Sequence, residues 1–226
     1  GLAFIIVPTF VYIIGSFFTP FKLDMNTMII LLAFVGYGVV GFIDDYIIVV
    51  QKNNEGLKPA HKFLLQSILA VVFFFLYRTS STTDIWIPIF NVTIDLSWFY
   101  FILVFFMFTA ETNAVNLTDG LDGLASGITL IVSTFFMLLA SYSGVANTEV
   151  AVLAAATIGA CLGFLGFNAY PARIFMGDTG SMALGGAVVA FAILTNSVLL
   201  IPLVGGIYFA EAISVILQVA SFKLTG

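Results

Sequence analysis

The sequence predicts an all-α, polytopic integral membrane protein: one helical bundle of eight transmembrane helices, forming a single domain over residues 1–226. Its composition supports this class, because 61% of the residues are hydrophobic and only 8% are charged. Soluble globular proteins carry roughly 25% charged residues. The apolar residues are also collected in long runs, and crossing about 30 Å of hydrocarbon takes roughly 20 residues as a helix.

Each apolar run is predicted to be a helix rather than a barrel strand. Backbone polar groups in lipid must be satisfied within the run, and the period-two alternation of barrel strands is missing. The eight runs cover residues 1–18, 27–43, 62–78, 97–115, 121–142, 150–168, 182–195 and 198–220. The seventh run is the shortest, so its membrane crossing rests on the least evidence.

The positions of the cations predict the orientation of the bundle. Alternate loops fall into two sets, and the cation-poor set holds only Lys22 and Arg78. The cation-rich set holds Lys52, Lys58, Lys62, Arg173 and Lys223. The positive-inside rule places the second set, together with the amino end, in the cytosol. A net charge of −5 without a basic patch gives no indication of a nucleic-acid partner.

Carboxylates gather in the same cytosolic loops, although they do not follow the positive-inside rule. Three loops, at about residues 44–62, 113–123 and 168–181, carry the acids within a turn of a membrane helix. These acids are Asp44, Asp45, Glu55, Asp119, Asp122 and Asp178. We interpret the three loops as the parts of one active site.

The first loop combines an aspartate pair with two lysines. Asp44 and Asp45 leave the second run near the membrane interface, where two anions at a helix end need Mg²⁺ or a lysine nearby. Lys58 and Lys62 open the next helix around Pro59 and oppose its dipole, which indicates an anionic partner. The alternative is an interfacial acidic pair beside snorkelling lysines.

The other two loops are rich in glycine. Asp119 and Asp122 lie three residues apart, and their alternative explanation is capping of the following helix. Gly177 and Gly180 lie in the loop directly before the seventh run, where free N–H groups at the start of a helix would receive phosphate oxygens. Asp178 lies between them and is a candidate Mg²⁺ ligand, since this ion takes one or two carboxylates plus substrate phosphates.

Three segments resemble one enzyme family. Residues 113–125, which contain Asn116, Asp119, Gly120, Leu121 and Asp122, are similar to the signature of the polyprenyl-phosphate N-acetylhexosamine-1-phosphate transferases. Residues 41–45 and 175–181 match two further motifs of that family. Their amino-acid sequences are most similar to the phospho-N-acetylmuramoyl-pentapeptide-transferase branch. That family has ten membrane helices, so we expect its first and last helices and its histidine loop to lie outside this sequence.

The resemblance implies transfer of phospho-MurNAc-pentapeptide from UDP-MurNAc-pentapeptide to undecaprenyl phosphate, which releases UMP and forms lipid I for peptidoglycan synthesis. It further implies Mg²⁺ as cofactor, a homodimer, and a bacterial plasma membrane location with the site facing the cytosol. A sister transferase that loads GlcNAc-1-phosphate onto the same lipid is one alternative. A secondary transporter is a second, because Glu111 and Glu211 lie within membrane runs.

The resemblance also implies individual roles. Asp178 would ligate Mg²⁺ across the pyrophosphate, Asp44 would hold or deprotonate the lipid phosphate, and Asp45 would support it or the metal. Phe175 would stack on uracil. The implied substrate contacts are Lys58, Lys62, Asn116, Asp119, Gly120, Leu121, Asp122, Asn168, Phe175, Gly177 and Gln218. One-step transfer and a covalent aspartyl intermediate both stay open.

Overall fold

A computed structural model describes residues 1–18, 23–52, 55–142 and 147–225 as a helical bundle. Its helices are α1 Leu2–Phe18, α2 Met25–Val49, α3 Pro59–Ser80, α4 Tyr100–Thr118, α5 Leu124–Tyr142, α6 Thr148–Asn168, α7 Gly177–Leu194, α8 Ile201–Val204 and α9 Gly206–Thr225. Lys22 and residues 53–54 of the first predicted loop lie outside the described part of the chain.

Seven helices of this described part are long and apolar enough to cross a membrane: α2 to α7 and α9. The chain is therefore a multi-pass membrane protein, and the predicted all-α membrane bundle is confirmed. Helix α1 is also apolar but has 17 residues, which gives a length of about 26 Å. A count of eight crossings and a cytosolic amino end stay predictions.

Helix α7 occupies the centre of the bundle, and 83% of its residues are buried. Small residues allow this position, since they let helix backbones approach closely in membranes. A Cβ on Gly185 would lie 2.7 Å from the Thr112 Cα of α4, and one on Gly186 would lie 2.7 Å from the Ala33 carbonyl of α2. Helices α2 and α4 therefore pack directly against α7 from two sides.

The helices extend further into the predicted loops than the apolar runs indicate. Helix α2 continues to Val49, so Asp44 and Asp45 lie in its last turns rather than in a loop. Helix α4 continues to Thr118. Helix α7 begins at Gly177, five residues before the predicted seventh run. Polar residues at these ends are held by contacts between helices, and hydropathy carries no information about such contacts.

The predicted eighth run is not a single helix. A 3₁₀ turn and the short α8 precede α9, and the break falls at Gly205. The Gly205 N–H closes α8 by donating to the Ile201 carbonyl at 2.7 Å. Helix α9 is mostly exposed, and its buried Tyr208 hydroxyl lies 2.5 Å from that of Thr129 on α5.

A β-hairpin joins α3 to α4, which the all-α prediction missed. Strand β1 Asp84–Ile87 pairs antiparallel with β2 Val92–Asp95. Asn91 adopts a φ of 49°, as tight turns often require. The Trp86 N–H donates to the Asn196 side chain beyond α7 at 3.1 Å, which fixes the hairpin to the bundle.

Candidate active site

Asp45 at the end of α2 caps the amino terminus of α7. Its Oδ1 accepts the Asp178 N–H at 3.1 Å, and its Oδ2 accepts the Thr179 N–H at 2.9 Å and the Thr179 hydroxyl at 2.5 Å. Gly177 allows this approach, because it has a φ of +64° and an added Cβ would lie 2.7 Å from Asp45 Oδ2. The N–H groups expected to receive phosphate are therefore occupied by the protein's own carboxylate.

Gly41 brings α2 against α7 one turn before Asp45. A Cβ at this position would collide with the backbone carbonyl of Asp178. Glycine is therefore required here for the two helices to meet at the distance that the Asp45 cap needs. The segments 41–45 and 175–181, which the sequence presents as two separate motifs, form one contact.

Asp178 is held from both sides by polar side chains of neighbouring helices. The Lys62 ammonium of α3 donates to Oδ2 at 2.5 Å, and the Asn116 amide of α4 donates to Oδ1 at 2.8 Å. The same amide donates to the Ser181 hydroxyl at 2.9 Å. The side chains of Lys62 and Asp178 are 17% and 25% exposed, so the ion pair is partly open to solvent. Helices α3, α4 and α7 thus fix the position of this carboxylate.

Asp44 is buried beside this pair and faces the Asp178 carboxyl and the Lys62 ammonium. Its Oδ1 accepts the Leu57 N–H at 3.0 Å. Gly56, which precedes Leu57, has a φ of +62° and allows the loop to fold over the carboxyl. The first and third predicted loops therefore converge on one point.

Asp119 follows the last residue of α4 and completes the acidic cluster. Burial and the nearby Asp178 carboxylate raise the pKa of the Asp119 carboxyl from 3.8 to about 7, with a smaller contribution from Asp45. Burial is the larger of these causes, because it disfavours the charged form of the carboxyl.

The second loop is tied to the third by a buried amide. Asn168 is 2% exposed, its Oδ1 accepts the Gly123 N–H at 3.0 Å, and its amide donates to the Ile174 carbonyl at 2.9 Å. Asp122 adds a second tie by accepting the Ala172 N–H at 2.9 Å. These contacts position both loops. Because Asn168 is buried, its predicted contact with substrate finds no support in the geometry.

Three other predicted contacts surround the cluster as exposed residues. Gly120 is exposed, Leu121 is 64% exposed and Phe175 is 68% exposed. An aromatic ring that projects from the loop before α7 is available for stacking, although it touches no ring of the described residues. The stacking of Phe175 on a base stays a prediction.

Lys58 and Gln218 are not brought into the cluster. Lys58 is the exposed residue before α3, and its side chain makes no capping hydrogen bond. Gln218 lies on the exposed face of α9 and donates to Ser214 at 2.9 Å within the same helix. Their predicted roles find no support in the geometry.

A divalent cation at this cluster stays a prediction, and the contacts bear only on which carboxylates would be free to hold it. Both carboxylate oxygens of Asp45 accept hydrogen bonds from α7, which favours a positioning role over metal ligation. Both oxygens of Asp178 likewise accept hydrogen bonds, from Lys62 and Asn116, and the Asp44 and Asp119 carboxyls lie near it. No group of three side chains in the described ranges is already arranged as a metal cage. Mg²⁺ usually takes one or two carboxylates and completes its shell with water and phosphates, and its binding here stays a prediction.

Two hydroxyl groups of this site, those of Thr179 and Ser181, were not predicted from the sequence. Ser181 lies three residues after Asp178, which places both on one helix face beside Asn116. Thr179 donates to Asp45. Their position inside the motif 175–181 could have indicated them from the sequence.

Comparisons with known proteins agree with this geometry. Residues 27–196 match the family model described as glycosyl transferase family 4. A phospho-N-acetylmuramoyl-pentapeptide-transferase of Clostridioides difficile strain 630 is 57% identical over 209 residues, which cover 92% of this chain and 65% of the relative. The protein of that name from Bacillus subtilis strain 168 is 52% identical over 90% of this chain and 63% of the relative.

A third relative of that name, from Geobacillus thermodenitrificans strain NG80-2, is 49% identical over 98% of this chain and 67% of its own length. The chain thus spans about two thirds of the length of the curated relatives it matches. The resemblance drawn from the three motifs is confirmed. The chain belongs to glycosyl transferase family 4, among relatives named phospho-N-acetylmuramoyl-pentapeptide-transferase.

Proposed function

We propose that the protein containing this chain transfers phospho-MurNAc-pentapeptide from UDP-MurNAc-pentapeptide to undecaprenyl phosphate, releasing UMP and forming lipid I. The observation that carries the proposal is Asp178, held between Lys62 and Asn116 at one end of a membrane bundle. Relatives of about 50% identity bear the name of this activity. One substrate would arrive from water and the other from the bilayer, so the reaction needs a site at the membrane surface.

The chemistry requires two anionic substrates to meet. An oxygen of the lipid phosphate would form a bond to the phosphorus that carries the sugar, and the pyrophosphate bond to UMP would break. Phosphoryl transfer depends mostly on positioning and on electrostatic stabilisation of the transferred group. Lys62 supplies a fixed positive charge at the cluster, and Asn116 keeps the Asp178 carboxylate from rotating.

Mg²⁺ would be held by Asp178 together with Asp44 or Asp119. When bound, the ion would neutralise pyrophosphate charge and polarise the reacting phosphoryl group. Asp44 is placed to hold the lipid phosphate or to take its proton at Oδ2, because Oδ1 is occupied by the Leu57 N–H. Direct transfer and an aspartyl intermediate use the same residues and stay separate options.

The location follows from the cations of the described residues. Lys52, Lys58, Lys62, Arg173 and Lys223 belong to the end of the bundle that holds the aspartates, and Arg78 belongs to the opposite end. We therefore place the site on the cytosolic side of a bacterial plasma membrane. A homodimer is implied by the family resemblance alone, and the mass of the purified protein in detergent tests it.

The test is UMP release by the full-length protein with undecaprenyl phosphate and Mg²⁺. UDP-MurNAc-pentapeptide should support turnover, and Asp178→Asn should abolish it while the variant keeps its thermal unfolding transition. Turnover with UDP-GlcNAc instead would identify a sister transferase that loads GlcNAc-1-phosphate. Wild-type turnover in Asp178→Asn would remove this carboxylate from the mechanism.

A further inference from the structure

An apolar groove lies between α3 and α4 at the end of the bundle opposite the aspartates. It has a volume of about 450 Å³. Aromatic and aliphatic side chains form its walls: Val71, Phe74, Phe75, Trp98, Phe99, Phe101 and Ile102. Trp98 is 60% exposed and Ile102 is 60% exposed, so the groove is open toward the surface that faces lipid.

Arg78 closes the outer end of this groove. It lies four residues after Phe74 on α3, and its guanidinium carbon is 3.9 Å from the centre of the Trp98 ring. The single salt bridge among the described residues joins Lys62 to Asp178, so Arg78 has no carboxylate within ion-pair distance. A guanidinium without an ion pair beside a lipid-facing groove is suited to a phosphate.

A polar cavity continues outward from Arg78. It has a volume of about 290 Å³ and is lined by Arg78, Ser81, Thr82, Thr83, Asp84 and Asp95. The two aspartates are direct partners across the hairpin, an arrangement that is unfavourable for like charges unless a cation lies nearby. The Thr83 hydroxyl and the Ser97 N–H, with a smaller contribution from the positive charge of Arg78, hold the pKa of Asp95 below its usual value, so this carboxyl stays charged.

We propose that this surface binds a phospholipid with a primary ammonium headgroup. One acyl chain lies in the aromatic groove, the phosphate contacts Arg78, and the ammonium lies beside Asp84 and Asp95. The order of apolar wall, cation and anion pair along the protein matches the order of chain, phosphate and ammonium in such a lipid. An anionic lipid without the ammonium would meet two carboxylates beyond its phosphate.

Fluorescence of Trp98 reports occupancy of the groove directly. The chain has two tryptophans, so Trp86→Phe, combined with Phe at any tryptophan of the full-length protein outside this chain, leaves Trp98 as the only one. The full-length variant is placed in bilayers that contain brominated-chain phosphatidylethanolamine or brominated-chain phosphatidylglycerol. Phosphatidylethanolamine should quench Trp98 at a roughly threefold lower mole fraction, as one exposed ion pair would give.

Variants of the groove and of the charged groups assign this preference to the proposed site. Asp84→Asn with Asp95→Asn should remove the difference between the two lipids. Val71→Phe should fill the groove and weaken quenching by both. Val72→Phe is its matched control, because it adds the same ring on the neighbouring exposed face of α3 and should leave quenching unchanged.

Three results would overturn the proposal. Equal quenching by both lipids would mean ordinary contact with the bilayer, and stronger quenching by phosphatidylglycerol would mean an anionic-lipid site. Absence of quenching by either lipid would mean that protein, such as a second copy of the chain, covers the groove.

Discussion

Replacing Asp45 by asparagine tests whether this carboxylate positions α7 or ligates a metal. Asp45 receives three donors with two oxygens. Asparagine offers one acceptor oxygen, so the amide group must face at least one of these donors. A positioning role predicts that the first turn of α7 loosens and that Asp178 moves with it.

The structure sets the magnitude and supplies a control. One lost charge-assisted hydrogen bond costs about 1.5–3 kcal/mol, and the lost charge at the helix terminus adds about 0.3–1 kcal/mol. The sum is about 2–4 kcal/mol. In its contacts with the described residues, Asp24 caps α2 through Oδ1, which accepts both the Thr27 N–H at 2.8 Å and its hydroxyl at 3.0 Å. Asp24→Asn therefore keeps both contacts and loses only the charge contribution.

Hydrogen exchange followed by mass spectrometry measures this difference without Mg²⁺. In Asp45→Asn the amides of residues 178–181 should exchange faster, and the thermal unfolding temperature should fall by more than in Asp24→Asn. Asp24→Asn should leave exchange at the start of α7 unchanged. Exchange of these amides at the wild-type rate in Asp45→Asn would refute the capping role and would favour ligation of a metal ion by Asp45.

Three further changes test the surroundings of the site. Lys62→Met should lower UMP release roughly 10- to 150-fold, the range of one charge-assisted contact, whereas the exposed Lys52→Met should not. Because the pKa of Asp119 is raised to about 7, the folded protein binds the extra proton between pH 3.8 and 7 and loses stability as the pH rises through this window. Asp119→Asn should therefore unfold at a higher temperature than wild type at pH 8 but not at pH 4, in Mg²⁺-free buffer. The same difference in unfolding temperature at both pH values would contradict this. Gly41→Ala should lower the free energy of unfolding by about 1–3 kcal/mol through overpacking. Gly163→Ala is the control, because an added Cβ there meets nothing within 4 Å, and it should raise that free energy by about 0.5–1 kcal/mol. Equal unfolding temperatures of the two variants would refute the close contact between Gly41 and the Asp178 backbone.

The membrane class and the approximate helix positions followed from the sequence because hydropathy reports transfer into lipid directly. The helix ends did not, since α2 and α7 are each extended by a contact with the other. The hairpin was missed for a different reason: its strands have four residues each, too few for a periodic pattern to stand out. The break before α9 depends on a turn at Gly205 that a hydropathy average does not resolve.

The convergence of the three acidic loops was predicted, and Asp44, Asp119 and Asp178 lie close enough to affect one another electrostatically; a shared active site stays a prediction. The pattern of carboxylates in loops on one side of the membrane was sufficient, because few arrangements place them together except a shared site. The individual contacts were not predictable. Whether a carboxylate caps a helix or faces an open cleft depends on side-chain directions that spacing alone leaves undetermined, as Asp45 and Asn168 illustrate.

The cap on α7 also limits how this site can bind phosphate. A glycine loop before a helix usually offers free backbone N–H groups to an anion, but here Asp45 already fills that position. Bound phosphates must then rely on side chains and on a cation, and Lys62 is the one ammonium held among the described aspartates. The acidic cluster therefore cannot act on anionic substrates by backbone binding alone, because each added phosphate increases the negative charge that Lys62 and a divalent cation have to balance.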